Sequence, residues 1–200
     1  VYHSNNVAKG LSRAFLIADM PFMSYSDPNQ ALENSVRLMQ EGGAMMIKLE
    51  GGEDQISIVE HLARHDIAVC AHLGLKPQSV HKIGGFKVQG RDKGESDKML
   101  KNAISLQNAG ADLILLECVP NELGKLIRDK LDIPVIGIGA GPNVDGQILV
   151  LYDVLGVTQG TMPKFVKNFM LGHDSPLNAI ESYVKAVKEG DYPSPEHCFS

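Results

Sequence analysis

Short apolar runs in this chain end, one after another, in a single ionisable residue. Phe15-Leu16-Ile17-Ala18 runs into Asp19, Met45-Met46-Ile47 into Lys48-Leu49-Glu50, Ala68-Val69-Cys70-Ala71 into His72, and Leu113-Ile114-Leu115-Leu116 into Glu117. Apolar runs this short, set between helical patterns, read as buried parallel strands. A charge at the carboxyl end of such a strand is costly to bury unless it is paired or meets a ligand or metal. Repeated over several strands, the pattern describes one site at the carboxyl face of a β/α barrel.

Between these runs the chain alternates strand and helix. Strands are expected at residues 15–19, 44–50, 67–72, 112–117 and 134–138, with 147–152 a further apolar candidate that also suits a helix. Helices are expected at about residues 2–10, 29–40, 54–64, 96–108, 121–130 and 177–188. Asp27 followed by Pro28 is a helix-start signal, and Gly42-Gly43 a stop. Residues 75–94 read as a long loop of the kind that often covers a site, with disorder as the alternative. Alternation of this kind implies a parallel sheet with right-handed crossovers. The expectation is one α/β domain over residues 1–200, a (β/α)8 TIM-type barrel. Six strands are visible where a barrel needs eight, so the first two β/α units are expected to lie outside this sequence. An open doubly wound sheet of six strands is the alternative that needs nothing more.

The 200 residues, 44% hydrophobic and 22% charged, give enough length for a full core and an ordinary globular composition. A net charge of −5 argues against a nucleic-acid partner. No stretch is apolar for long enough to span a bilayer, and the sequence reads as lacking a signal peptide. The three cysteines, Cys70, Cys118 and Cys198, have no paired spacing and suit buried thiols in a reducing compartment. A cytoplasmic protein without membrane contact is expected.

Lys48 and Glu50 are two residues apart, so both project from one face of their strand while Ile47 and Leu49 face the helices. Leu113, Leu115 and Glu117 share a face for the same reason. A barrel interior then collects Asp19, Lys48, Glu50, His72 and Glu117 near its upper rim; simple neutralisation of Lys48 by Glu50 is the plainer account of that pair. Asp19 and Glu50 offer hard oxygen ligands, and Mg2+ is typically held by one or two carboxylates with waters and substrate oxygens completing the octahedron. Zinc is disfavoured, since no His/Cys cluster has ligand spacing; His61 and His65 lie one helical turn apart but read as a solvated face. Gly137-Ile138-Gly139-Ala140-Gly141 lacks the dinucleotide spacing and reads as a tight turn with close backbone approach. Cys118 alternates away from Glu117 and reads as core. Lys164 and Lys167 read as surface charges, with contact to an anionic ligand tail as the alternative.

Seven blocks in order carry a resemblance: Leu16-Ile17-Ala18-Asp19-Met20-Pro21-Phe22, Ile47-Lys48-Leu49-Glu50-Gly51-Gly52, His72-Leu73-Gly74-Leu75-Lys76-Pro77-Gln78-Ser79, Gly85-Phe86-Lys87-Val88-Gln89-Gly90-Arg91, Leu116-Glu117-Cys118-Val119-Pro120, Ile136-Gly137-Ile138-Gly139-Ala140-Gly141 and Pro163-Lys164-Phe165. Together they resemble the ketopantoate hydroxymethyltransferase family over essentially the whole chain. The resemblance implies a (β/α)8 barrel, Mg2+, 5,10-methylenetetrahydrofolate as co-substrate and 3-methyl-2-oxobutanoate as substrate, in pantothenate synthesis. It implies Asp19 as a metal ligand that also contacts substrate, Glu50 as the second acidic metal-site residue, Lys48 and His72 at the substrate, and Glu117 as catalytic base. It also implies a homodecamer of two stacked pentamers. The family's early Gly-Asp-Ser segment, whose Asp binds metal and whose Ser binds substrate, has no counterpart here, in keeping with the strand count. Another Mg2+-dependent enolate enzyme, of the phosphoenolpyruvate mutase or isocitrate lyase kind, and a non-catalytic truncated barrel are the competing expectations.

Overall fold

The computed structural model describes residues 1–200, Ile83 by its backbone alone. Six strands, β1 (Ile17–Asp19), β2 (Met46–Glu50), β3 (Val69–Gly74), β4 (Leu113–Glu117), β5 (Val135–Ile138) and β6 (Gly146–Gln147), form one sheet in strict chain order. Every neighbouring pair is parallel. A doubly wound sheet reverses its strand order at a switch point. No reversal occurs here, so crossovers of one hand put the connecting helices on one face of the sheet. The open doubly wound alternative is thereby excluded.

The helices are α1 (Tyr2–Gly10), α2 (Pro28–Gln40), α3 (Ile56–Ala63), α4 (Val80–Ile83), α5 (Lys93–Asn108), α6 (Asn121–Lys130), α7 (Leu151–Val154) and α8 (Pro176–Glu189). Asp27 caps α2 as its sequence predicts, accepting from the backbone N–H of Asn29 and Gln30 beside Pro28. α2 buries Ala31, Ser35 and Leu38 and α3 buries Ile58, Val59 and Leu62, the stripe that a helical period requires. These stripes pack on the outward-facing residues of the strands, among them Ile47, Leu49, Val69, Ile114 and Leu116.

Alternation turns the intervening residues to the other face. There Met46, Cys70, Leu115 and Ile138 form a second apolar cluster with Phe165. A cavity of about 350 Å³ on this face is lined by Ile17, Lys48, Cys70, Leu115 and Ile136, one residue from each of β1 to β5. First and fifth strands reach a common cavity only if the sheet curls, so this is part of a barrel wall. Strand order ends on β1 at one side and β6 at the other, and no β1–β6 pairing closes the ring among the described residues.

Several local expectations are corrected. β1 starts at Ile17, because Phe15 lies outside the ladder, 58% exposed. The apolar run 147–152 is mostly not strand. β6 stops at Gln147, and the chain turns through Ile148 into the short helix α7, leaving Val150, Leu151 and Tyr152 exposed at the sheet edge. The helix expected at 54–64 is a 3-10 turn, Glu53–Gln55, followed by α3. α5 starts early at Lys93, since Asp92 accepts from the Glu95 N–H and caps it. Residues 75–94 contain a 3-10 turn, Pro77–Ser79, and α4, and the segment is tied back by the Gln89 N–H donating to the Cys118 carbonyl.

Candidate active site

Strand register brings the isolated ionisable residues together. Asp19 pairs with Lys48 across β1 and β2, and Glu50 with His72 across β2 and β3. Lys48 Nζ lies 2.9 Å from Asp19 Oδ1 and 3.5 Å from His72 Nδ1. His72 Nδ1 lies 3.7 Å from Glu50 Oε1, and His72 Nε2 lies 3.3 Å from Glu117 Oε2. All five residues singled out from the sequence therefore form one continuous chain of contacts at the carboxyl ends of four strands.

Burial divides them. The His72 and Glu50 side chains are almost fully enclosed, Lys48 and Glu117 are each 14% exposed, and Asp19 opens to solvent at 62%. Asp19 and Lys48 line the cavity itself, and Glu117 keeps a small exposed edge beyond them. Burial works against the charged form of His72, but the carboxylates of Glu117 and Glu50 outweigh it and hold the imidazole pKa above its ordinary value. Burial pushes Glu50 up, yet His72, Lys48 and the Gln78 backbone N–H prevail and hold its carboxyl below the ordinary range. His72 Nε2 is buried without an aligned hydrogen-bond partner, so its contact with Glu117 is one of charge and proximity.

Gln78 and Tyr25 complete the frame. The Gln78 backbone N–H donates to Glu50 Oε2 at 3.2 Å, its side-chain Nε2 donates to the Met20 carbonyl at 2.8 Å, and its Oε1 accepts from the Tyr25 hydroxyl at 2.7 Å. Their signal in the sequence is slight: Gln78 follows Pro77 in the block after His72, and Tyr25 sits between Ser24 and Ser26 in the loop that also holds Phe22 and Met23.

The donor set fits a divalent cation. Three carboxylates, Asp19, Glu50 and Glu117, face one lysine and one imidazole, so the cluster stays negative even with His72 protonated. Among the described residues no three His, Cys, Asp or Glu side chains converge into a ready-made metal cage. Two carboxylates with the remaining positions left to water and substrate oxygens is the pattern typical of Mg2+ rather than of a dedicated protein cage.

Cys118 is core, but not on the face expected of it. Its φ of +51° breaks the alternation after β4, and its side chain joins the inner cluster with Cys70. Burial pushes both thiols up to about 12, which leaves neither a nucleophile near neutrality. The glycine-rich 137–141 segment is a tight turn in which Phe165 packs directly against Gly139. Lys164 and Lys167 are exposed; Lys164 Nζ donates to the Cys198 carbonyl and Lys167 lies 4.9 Å from the Phe169 ring centroid. His61 and His65 stack on each other at 4.7 Å, and His65 Nδ1 lies 2.8 Å from the His61 carbonyl oxygen.

Among the described residues no helix is long and apolar enough to cross a membrane. Residues 1–195 match the family model described as ketopantoate hydroxymethyltransferase. A 3-methyl-2-oxobutanoate hydroxymethyltransferase of Alkalilimnicola ehrlichii is 57% identical over 199 residues, covering 100% of this chain and 72% of that protein. The protein of the same name from Nitrosococcus oceani is 55% identical over 193 residues, 96% of this chain and 73% of its own length. That of Aeromonas hydrophila is 52% identical over 200 residues, 100% of this chain and 75% of its own length. With its strand order, its convergent carboxylates and these relatives, the chain belongs to the ketopantoate hydroxymethyltransferase family of transferases.

Proposed function

We propose that this chain transfers a hydroxymethyl group from 5,10-methylenetetrahydrofolate to 3-methyl-2-oxobutanoate, giving 2-dehydropantoate for pantothenate biosynthesis. The carrying observation is the contact chain Asp19–Lys48–His72–Glu117 at the carboxyl ends of four strands, with Glu117 partly exposed and backed by a buried imidazole.

Asp19 and Glu50 are the carboxylates that would hold Mg2+. When bound, the ion supplies Lewis-acid polarisation of the 2-oxo group. Glu117 takes the proton from C3 of the oxo acid, and the electron pair of that C–H bond becomes the enolate π bond. Lys48, held by Asp19 at 2.9 Å, is the cation positioned to neutralise the substrate carboxylate or the developing oxyanion. The apolar wall of Leu115, Ile138 and Phe165 suits a branched aliphatic tail and keeps water from the carbanionic carbon. C3 then bonds to the one-carbon unit of the folate as both of that carbon's C–N bonds break; water supplies the hydroxyl group, and tetrahydrofolate leaves with its two nitrogens carrying the proton taken by Glu117 and the second proton of the water. His72 contacts the carboxylates on either side and sets their orientation.

The same reading gives a cytoplasmic homodecamer whose ring of eight strands is completed by two further β/α units, residues 1–200 forming one domain with them. The test is C3 proton exchange of 3-methyl-2-oxobutanoate in D2O, followed by addition of the folate. Exchange that requires Mg2+, and 2-dehydropantoate only when the folate is present, is the expected result. Exchange with no product under any folate condition favours a different enolate chemistry and overturns the assignment.

A further inference from the structure

Gln78 touches both the Glu50 carboxylate and the turn that carries Asp19. Its backbone N–H donates to Glu50 Oε2 at 3.2 Å, and its side-chain Nε2 donates to the carbonyl of Met20, the residue after Asp19, at 2.8 Å. Met20 is itself fixed to β2, since its N–H donates to the Lys48 carbonyl at 2.9 Å. The Gln78 Oε1 accepts from the buried hydroxyl of Tyr25 at 2.7 Å, and that hydroxyl receives the Glu50 backbone N–H at 3.4 Å. Gln78, in the loop after β3, is thus joined through its side chain to the loop after β1 and through its backbone N–H to the carboxyl end of β2. Both its polar side-chain atoms are used, and neither reaches the cavity as a ligand.

Without this clamp the turn after Asp19 is joined to the carboxyl end of β2 by the Met20–Lys48 backbone bond, the Asp19–Lys48 ion pair and the long Tyr25–Glu50 contact, and none of these reaches the Glu50 carboxylate. Asp19 is the exposed member of the carboxylate pair, so the separation of the two carboxylates depends on how firmly its turn is held. Cation sites lose affinity when the groups that orient their ligands are removed, even though those groups never touch the ion.

We propose that Gln78 is a positioning residue that fixes the spacing of the Asp19 and Glu50 carboxylates and thereby sets divalent-cation affinity, with Tyr25 as its buried anchor. The proposal rests on the reading of Asp19 and Glu50 as the cation pair.

The experiment is a Mn2+ titration by calorimetry, with the Mn2+ EPR line shape and the melting temperature recorded on the same samples. Gln78→Leu removes both side-chain bonds. Gln78→Glu keeps the acceptor for Tyr25 but sets an oxygen against the Met20 carbonyl, and it preserves side-chain shape if the leucine variant folds poorly. Each is expected to weaken Mn2+ binding about tenfold and to change the line shape, with Gln78→Glu melting close to wild type. Tyr25→Phe is expected to show a smaller loss in the same direction. Asp19→Ala is the control. If it weakens binding while both Gln78 variants bind Mn2+ as wild type does, the role of Gln78 is overturned and the cation pair stands. If Asp19→Ala also binds normally, the pair itself is wrong and the clamp with it.

Discussion

His72 Nε2 and Glu117 Oε2 face each other at 3.3 Å across β3 and β4, with the imidazole enclosed and the carboxylate 14% exposed. The imidazole thereby backs Glu117 from behind and leaves its free edge for a substrate proton. Glu117→Gln keeps the size of the side chain and removes its basicity. C3 deuterium exchange is expected to fall by about 100- to 10,000-fold, the usual contribution of a general base. Mn2+ affinity should stay at wild-type level, because Glu117 lies across His72 from the proposed cation pair. Exchange at the wild-type rate in this variant removes Glu117 from the role.

Asp19 is the exposed partner of Lys48, and its replacement separates two functions that the salt bridge joins. Asp19→Ala is expected to weaken Mg2+ binding on the order of tenfold or more, since a direct ligand matters at least as much as an outer partner. Folding should change by only about 1 kcal/mol, because the Asp19 half of the pair is open to solvent and screened there. Calorimetry at fixed pH measures the first effect and urea denaturation the second.

Proton linkage gives a pH window for stability. The folded-state pKa of His72 lies above its ordinary 6.5, so its stabilising contribution is complete below 6.5 and is lost as pH rises through the folded value. Glu50 is shifted the opposite way, below 4.5, so its contribution is complete above 4.5 and is lost as pH falls through the folded value. Both contributions are in full force between about 4.5 and 6.5, where the melting temperature of the metal-free protein should be highest. Each kcal/mol lost is expected to lower the melting temperature by about 2–4 °C in a chain of this size. In His72→Gln the decline on the alkaline side should flatten; an unchanged alkaline limb would show that His72 carries no such linkage.

The five site residues were legible because parallel strands carry little but apolar side chains, and a lone charge among them stands out. Alternation then assigned Lys48 and Glu50 to one face, as the structure bears out. It failed at Cys118, where a positive φ rotates the side chain back toward the cavity. The edges of the sheet were harder to read. Ile148, Val150 and Leu151 are apolar without being buried in this chain, so hydrophobicity pointed to a strand where only Gly146–Gln147 pairs. Gln78 and Tyr25 were missed because their importance lies in which three segments they join. Sequence patterning in one segment holds no record of contacts made to two others.

Gly74 shows how closely the backbone of the site is fitted. Its φ is +95°, and a Cβ there would run into the Glu117 carbonyl oxygen and stand 3.0 Å from Val119 Cγ1. That carbonyl already accepts the Leu75 N–H at 2.8 Å, so it has no free direction in which to retreat. Gly74→Ala therefore combines the cost of a left-handed residue, about 1–2 kcal/mol, with overpacking of about 1–3 kcal/mol. It is expected to destabilise the fold by roughly 2–5 kcal/mol and to move the end of β4 that carries Glu117. Gly190→Ala is the matched control: φ is +78° at the end of α8, and nothing lies within 4 Å of the added carbon. It should cost about 1 kcal/mol and leave C3 exchange untouched. Urea denaturation and exchange rates on the two variants separate backbone strain from displacement of Glu117, the proposed base. Equal losses of exchange in both would mean that the contact between Gly74 and the Glu117 carbonyl has no part in holding the base.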